Sequence, residues 1–315
     1  MEKKIVKAEN MVFRCKEIPL TRRELKNLLN YHIPCLCCGM EMIHPDTYTN
    51  ILDNMNLSGK ASDVIKILSP YEKLMHPVER QVFNMFKSLA PKYPDKNFQE
   101  LLIMKKEVHE LALVKIQSSI FNKISFYRRI LPKKTARQLR KLIIKTNDII
   151  FDPEPHKPFS RRIFIHKLKN IVSHIENKKI REEIITIARR LPRSSDEVCA
   201  FVVKNSRKSS KVIALNLIHP SVGTFEHLLP KCMKGQNNSL NFALECSYCN
   251  NSRNHFPISV QIEENPYMPE NAQIQIDKLI SLCKKDLCKK EYVENLSKTL
   301  NELSAGIINI DLRFN

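Results

Sequence analysis

Two short cysteine motifs constrain this chain more than anything else in it. They are Cys35-Leu-Cys-Cys38 and Cys246-Ser-Tyr-Cys249, with 207 residues between them. Two thiolates three positions apart can reach one tetrahedral ion, and two such pairs close a structural Zn²⁺ site. A compact zinc finger separates its pairs by about 15–20 residues. A site built from both pairs therefore ties two distant stretches together and leaves everything between them as one loop. The entropy cost of closing it grows only with the logarithm of its length. The competing reading is that each pair is simply buried cysteine, a common fate for so apolar a side chain. Cys37 leaves the first pair open, because only two of its three thiols are needed.

The loop reads as helix. Five glycines serve 315 residues, too few for the many tight turns of an all-β chain. Thr21-Arg-Arg-Glu24, Thr135-Ala-Arg-Gln138 and Ser194-Ser-Asp-Glu197 each fit a capping box. Phe164, Leu168, Ile171, Val172 and Ile175 share one helical face, and Ile180, Ile184, Ile187 and Leu191 share another. Prolines at 132, 153, 155, 158 and 192 cut the segment into short helices. Beyond Lys211 the apolar run Val212–Ile218 reads as a strand, and a second strand is expected near Leu240–Leu244. Ala272–Ser304 is amphipathic helix.

Charge narrows the partner. Lys and Arg number 52 against 33 Asp and Glu, a net +19. From Phe121 to Lys211 there are 24 basic and 8 acidic residues, so +16 of that total lies in under a third of the chain. One-signed excess suits a polyanion, although a charged helix face is often merely solvated. Arg161, Arg162, Arg189 and Arg190 are the candidate phosphate contacts. No apolar run approaches the roughly 20 residues of a membrane span, and the N-terminus carries no secretory pattern. Ten cysteines then point to metal ligation in a reducing compartment, so a cytoplasmic chain without membrane partners is expected. No Walker loop or dinucleotide fingerprint occurs, which excludes an NTPase or Rossmann enzyme.

The second cysteine pair sits in a longer pattern: Phe225-Glu226-His227-Leu228-Leu229-Pro230, then Asn241, then Cys246-Ser-Tyr-Cys249-Asn250-Asn251-Ser252-Arg253-Asn254-His255. This resembles the HNH endonucleases, the ββα-metal nucleases, in their four-cysteine form. The resemblance covers Leu217 to about His255, plus the first knuckle from Pro34 to Gly39. It implies a structural zinc held by Cys35, Cys38, Cys246 and Cys249. It also implies His227 as general base, with Glu226, Asn250 and Asn254 around a catalytic Mg²⁺ or Mn²⁺ and His255 as a substitute ligand. Asn241 would orient the backbone at the histidine, and Arg253 would hold a phosphate. Glu226 departs from the family's usual Asp or His. Strand alternation sends Glu226 and His227 to opposite faces, so the resemblance requires the strand to end or twist there.

The expected architecture is α+β and predominantly α-helical, a small ββα-metal core with structural zinc plus a basic helical insertion. Its parts are 1–49 (N-terminal helix and first knuckle), 50–210 (insertion), 211–265 (nuclease core) and 266–315 (C-terminal helices). The expected function is metal-dependent hydrolysis of DNA phosphodiesters in antiphage defence. A separate ATPase or sensor subunit is the expected partner, and a homodimer where both strands are cut. The alternative is an inactive, zinc-stabilised nucleic-acid-binding protein.

Overall fold

A computed structural model describes residues 19–151, 161–192, 197–253 and 256–314, excluding the side chains of 147–150, 151 and 162. They form the expected class, mostly helix with one two-stranded sheet. The first helices are α1 (Arg22–Leu28), α2 (Pro45–Asn54), α3 (Ala61–Leu68), α4 (Pro77–Leu89) and α5 (Phe98–Phe126). Then come α6 (Lys133–Phe151), α7 (Arg161–Val172), α8 (Lys178–Ala188), α9 (Val198–Asn205) and α10 (Ser210–Ile218). Strands β1 (Gly223–His227) and β2 (Phe242–Cys246) follow, and α11 (Ser247–Arg253) leaves β2 directly. The chain closes with α12 (Ile258–Glu264), α13 (Met268–Cys283) and α14 (Lys290–Leu303). Contacts divide the described residues into two units: those of 19–57, 63–80 and 214–314 form the first, and those of 58–62 and 81–213 form the second.

In the first unit, α1 opens on the expected capping box, Thr21 Oγ1 accepting from Glu24 N and the Glu24 carboxylate accepting from Thr21 N. β1 and β2 pair antiparallel, with Glu226 opposite Ala243 and His227 opposite Phe242. The first knuckle turns tightly: Cys35 N donates to Met40 O (2.8 Å) and Gly39 N to Cys35 O (2.9 Å). Gly39 has φ +71°, a conformation that favours glycine, and a Cβ there would push aside the Asn271 amide, 2.4 Å away. Leu36 N donates to Leu244 O (3.1 Å), which lays the knuckle along β2. The closing helices belong to the same core. The fully buried Gln275 on α13 donates to both Pro34 O and Leu244 O, and Tyr292 on α14 donates to Phe242 O.

In the second unit, helices α5 to α8 surround a core that includes Phe121, Ile124, Phe164, Leu168, Val172, Ile184 and Leu191. The two helical faces read from the sequence are the faces that are buried; each such side chain taken from water contributes about 1.5–3 kcal/mol.

Three local expectations need correction. Val212–Ile218 is not a strand but most of α10, with Ile213, Ala214, Leu217 and Ile218 buried at helical spacing. A short apolar run has no periodicity to separate a buried strand from a buried helix. The second strand begins two residues later than expected, at Phe242. Thr135 does not cap α6, which starts at Lys133 with Ala136 N donating to Pro132 O; Thr135 is buried inside it. The cap expected at Ser194 lies outside the described residues.

Candidate metal centre and cleft

The second knuckle straddles the junction of β2 and α11, since Cys246 ends the strand and Cys249 lies one turn into the helix. With Leu36 bonded along β2, the ligand atoms of Cys35, Cys38, Cys246 and Cys249 all lie within 4.8 Å of one another. Four sulfurs bound at about 2.3 Å to one tetrahedral ion stand about 3.8 Å apart, and Cys38 Sγ is 3.8 Å from Cys246 Sγ. The donor set is all thiol and mostly buried, which suits a structural Zn²⁺ with no open coordination position. Burial raises the Cys246 thiol pKa well above normal, and hydrogen bonds from Cys246 and the neighbouring thiols do the same at Cys249. Cys38, bonded by those same neighbours, is pulled far down. Cys37 is outside the set: Asn265 Nδ2 lies 3.8 Å from its sulfur, and Asn271 Nδ2 donates to its carbonyl.

No sequence pattern marks His76, yet its Nε2 lies 3.3 Å from Cys246 Sγ. Its ring packs 4.8 Å from that of Tyr248. Burial drops its pKa to about 4, so the ring is neutral at pH 7, and the tautomer with hydrogen on Nε2 donates to the sulfur. Nothing local to the sequence carries this signal, because the partners are 170 positions apart. Groups that hydrogen-bond a metal ligand typically change metal affinity by about 10–100-fold when removed. His76→Ala is therefore expected to release zinc to a competing chelator at about tenfold lower chelator concentration, with His76→Gln recovering part of the loss. Identical competition curves for His76→Ala and wild type would remove His76 from the centre.

Beside the centre, a cleft of about 480 Å³ is lined by Glu226, His227, Pro230, Lys231, Cys232, Asn250 and Asn251. Alternation holds along β1. Thr224 and Glu226 face α11, where Asn250 Nδ2 donates to Thr224 Oγ1 (2.9 Å) and Arg253 pairs with Glu226. His227 faces the other way, edge-on to Phe242. Because β1 ends at His227, both neighbours still reach the cleft. His227 Nε2 lies 3.0 Å from Asn237 Oδ1, which also accepts from Arg22 on α1. An amide oxygen only accepts, so Nε2 carries the hydrogen and Nδ1 keeps a lone pair. Burial lowers the His227 pKa, with Lys231 and Arg22 adding to the effect and the Asn237 bond opposing it.

Comparison of the chain with protein-family models, curated proteins and solved structures finds no match. The site's own geometry must then carry the functional reading.

Asn241 is fully buried and fastens the loop after β1: its Oδ1 accepts from Leu229 N, and its Nδ2 donates to Leu229 O and Gln236 O. The loop closes so tightly that a Cβ on Gly235 would meet Leu229 O at 1.7 Å. Arg253, expected to hold a phosphate, is only 1% exposed; it pairs with Glu226 and donates to the carbonyls of Leu228 and Phe256. Both Nη groups of its fork are spent inside the fold. Asn254 and His255 lie outside the described residues. For a hard cation the described donors here are the Glu226 carboxylate, already paired, and Asn250 Oδ1, an incomplete set.

The expected arginine face also resolves unevenly. Arg161 Nη1 donates to the carbonyls of Arg189 and Leu191, which satisfies the end of α8 and is a structural role where a phosphate contact was expected. Arg189 is half-buried, Arg190 is exposed, and the Arg162 side chain is outside the described set.

Proposed function

We propose that this protein is an HNH-type endonuclease that hydrolyses DNA phosphodiester bonds, with zinc in its four-cysteine centre. The observation that carries the reading is the cleft at the end of β1, which gathers His227, Glu226 and Asn250 beside that centre on one strand–strand–helix unit. In this reading His227, neutral at pH 7, takes the proton of the attacking water at Nδ1 while Asn237 fixes its ring. Lys231, lining the same cleft, attracts the phosphate. Asn241 sets the backbone that presents His227. Glu226 and Asn250, with Asn254 or His255, would hold a Mg²⁺ or Mn²⁺ ion, which when bound would supply positive charge beside the leaving oxygen. Antiphage defence in the cytoplasm, with an ATPase or sensor partner, and a homodimer for double-strand cuts, extend this reading.

The test is cleavage of supercoiled plasmid by the purified protein with Mg²⁺ or Mn²⁺. General-base catalysis contributes typically 10²–10⁴-fold, so His227→Ala should lower the nicking rate by about that factor. Because the active imidazole is the neutral one and its pKa is depressed, the rate should be level at pH 7 and fall only on acidification below the ordinary histidine range near 6.5. No nicking by wild type, or equal nicking by the variant, overturns the reading.

A second reading is favoured by two specific bonds. Arg253 occupies the Glu226 carboxylate, and Thr224 accepts from Asn250. Both suit an inactive centre in a zinc-stabilised nucleic-acid-binding protein, which predicts a gel shift of the plasmid without cleavage.

A further inference from the structure

From Leu111 to Asn147 the chain has ten Lys and Arg residues and no Asp or Glu. The middle of this stretch is the corner where α5 ends, turns through Tyr127–Arg129 and enters α6. A second cleft, of about 460 Å³, opens there, lined by Asn122, Ser125, Phe126, Arg128, Arg129 and Ala136. Phe126 is 62% exposed at its rim, and the Arg129 guanidinium sits 5.8 Å from the ring centre. The next ring, Tyr127, meets Phe126 edge-on at 6.2 Å and bonds Glu183. Arg128 lines the cleft with its Nε buried and without a hydrogen-bond partner among the described residues.

These features ask for one kind of ligand. Lys133 and Lys134 stand in the first turn of α6, which has no acidic residue. There they oppose the positive end of the helix dipole, an arrangement that an incoming anion relieves. Arg129 lines the cleft, and Lys123, Lys133, Lys134 and Arg137, all exposed, lie within the same stretch of chain, so it offers many cations to an anion. A simple phosphate would use the cations and leave Phe126 in water. A duplex would bury its bases away from the ring. An unpaired strand uses both, with phosphates on the cations and a base on the aromatic face.

We infer that the α5–α6 corner is a binding site for single-stranded nucleic acid, with a base stacked on Phe126 beside Arg129 and the flanking phosphates held by Arg128, Lys133 and Lys134. The site lies wholly within the second unit and does not depend on the nuclease reading. It also differs from the sequence-based arginine set, of which Arg161 is committed to α8.

The test is fluorescence anisotropy of the full chain, without divalent metal, on a labelled oligothymidine, an abasic strand of the same length and a duplex. Stacking one base predicts oligothymidine binding about tenfold tighter than the abasic strand. Phe126→Ala should erase that difference, and Phe126→Trp should restore it, which excludes misfolding as the cause. Arg128→Gln with Lys133→Gln should reduce the slope of log affinity against log salt by about 1.4, at about 0.7 per phosphate contact on a single strand. Equal wild-type affinity for the thymidine and abasic strands, a preference for duplex, or an unchanged Phe126→Ala overturns the site. Failure of the nuclease reading would appear separately, as strand binding without plasmid cleavage.

Discussion

Cys249→Ser is expected to abolish zinc binding and unfold the first unit. Structural zinc at neutral pH contributes about 10–16 kcal/mol in small zinc-finger peptides, and the whole stability of a domain is about 5–15 kcal/mol. The same core contains both knuckles, the β1–β2 hairpin and the closing helices α13 and α14. Loss of the metal would leave crowded, buried thiols with nothing to share their charge, and the bonds that organise around them, such as Cys246 N to Cys35 Sγ, would lose their anchor. Metal analysis should find one zinc per wild-type chain and none in the variant, and circular dichroism should show the early loss of a large part of the helix signal. Cys37→Ser should retain full zinc, because Cys37 is outside the ligand set. A metal-free wild type that melts where the zinc form does would refute a structural role.

The second large effect concerns Arg253 and Glu226. Both are almost completely buried and face each other between β1 and α11. Removing one partner of a buried pair strands the other charge in a poorly solvating site, at a cost of about 3–5 kcal/mol, whereas replacing both with apolar groups of similar volume is often neutral. Arg253→Met should therefore lower stability to urea by that amount, and Arg253→Met with Glu226→Leu should recover most of it. Magnesium separates the two functional readings. If Glu226 is a cation ligand, Mg²⁺ takes the place of the missing guanidinium and raises the melting temperature of Arg253→Met but not of the double variant. If the centre is inactive, Mg²⁺ changes neither.

What could be read from the sequence follows the range of each signal. The four cysteines were legible because metal ligation imposes a spacing within each pair, whatever lies between the pairs. The faces at Phe164–Ile175 and Ile180–Leu191 were legible because an amphipathic helix writes its buried side into a 3.6-residue period. Val212–Ile218 does not show its helix in the sequence because the segment is too short and too uniformly apolar to display a period. Arg253 and Arg161 suit a phosphate and a backbone carbonyl equally well by residue type, and only burial decides between them. His76 and Arg22 carried no signal at all, since each acts across the fold on a partner, Cys246 or Asn237, that no local pattern connects to it.

The two cysteine pairs also impose an order on the chain's birth. Cys38 leaves the ribosome 208 positions ahead of Cys246, which at about 5–20 residues per second is a wait of about 10–40 s. Through that interval the first knuckle holds half a ligand set and the strand it will lie along does not yet exist. The second unit, by contrast, has its entire sequence available before Cys246 is made. Assembly therefore runs from the middle outward: the basic helices can settle first, and the first unit closes last, once the second knuckle and then α13 and α14 have followed.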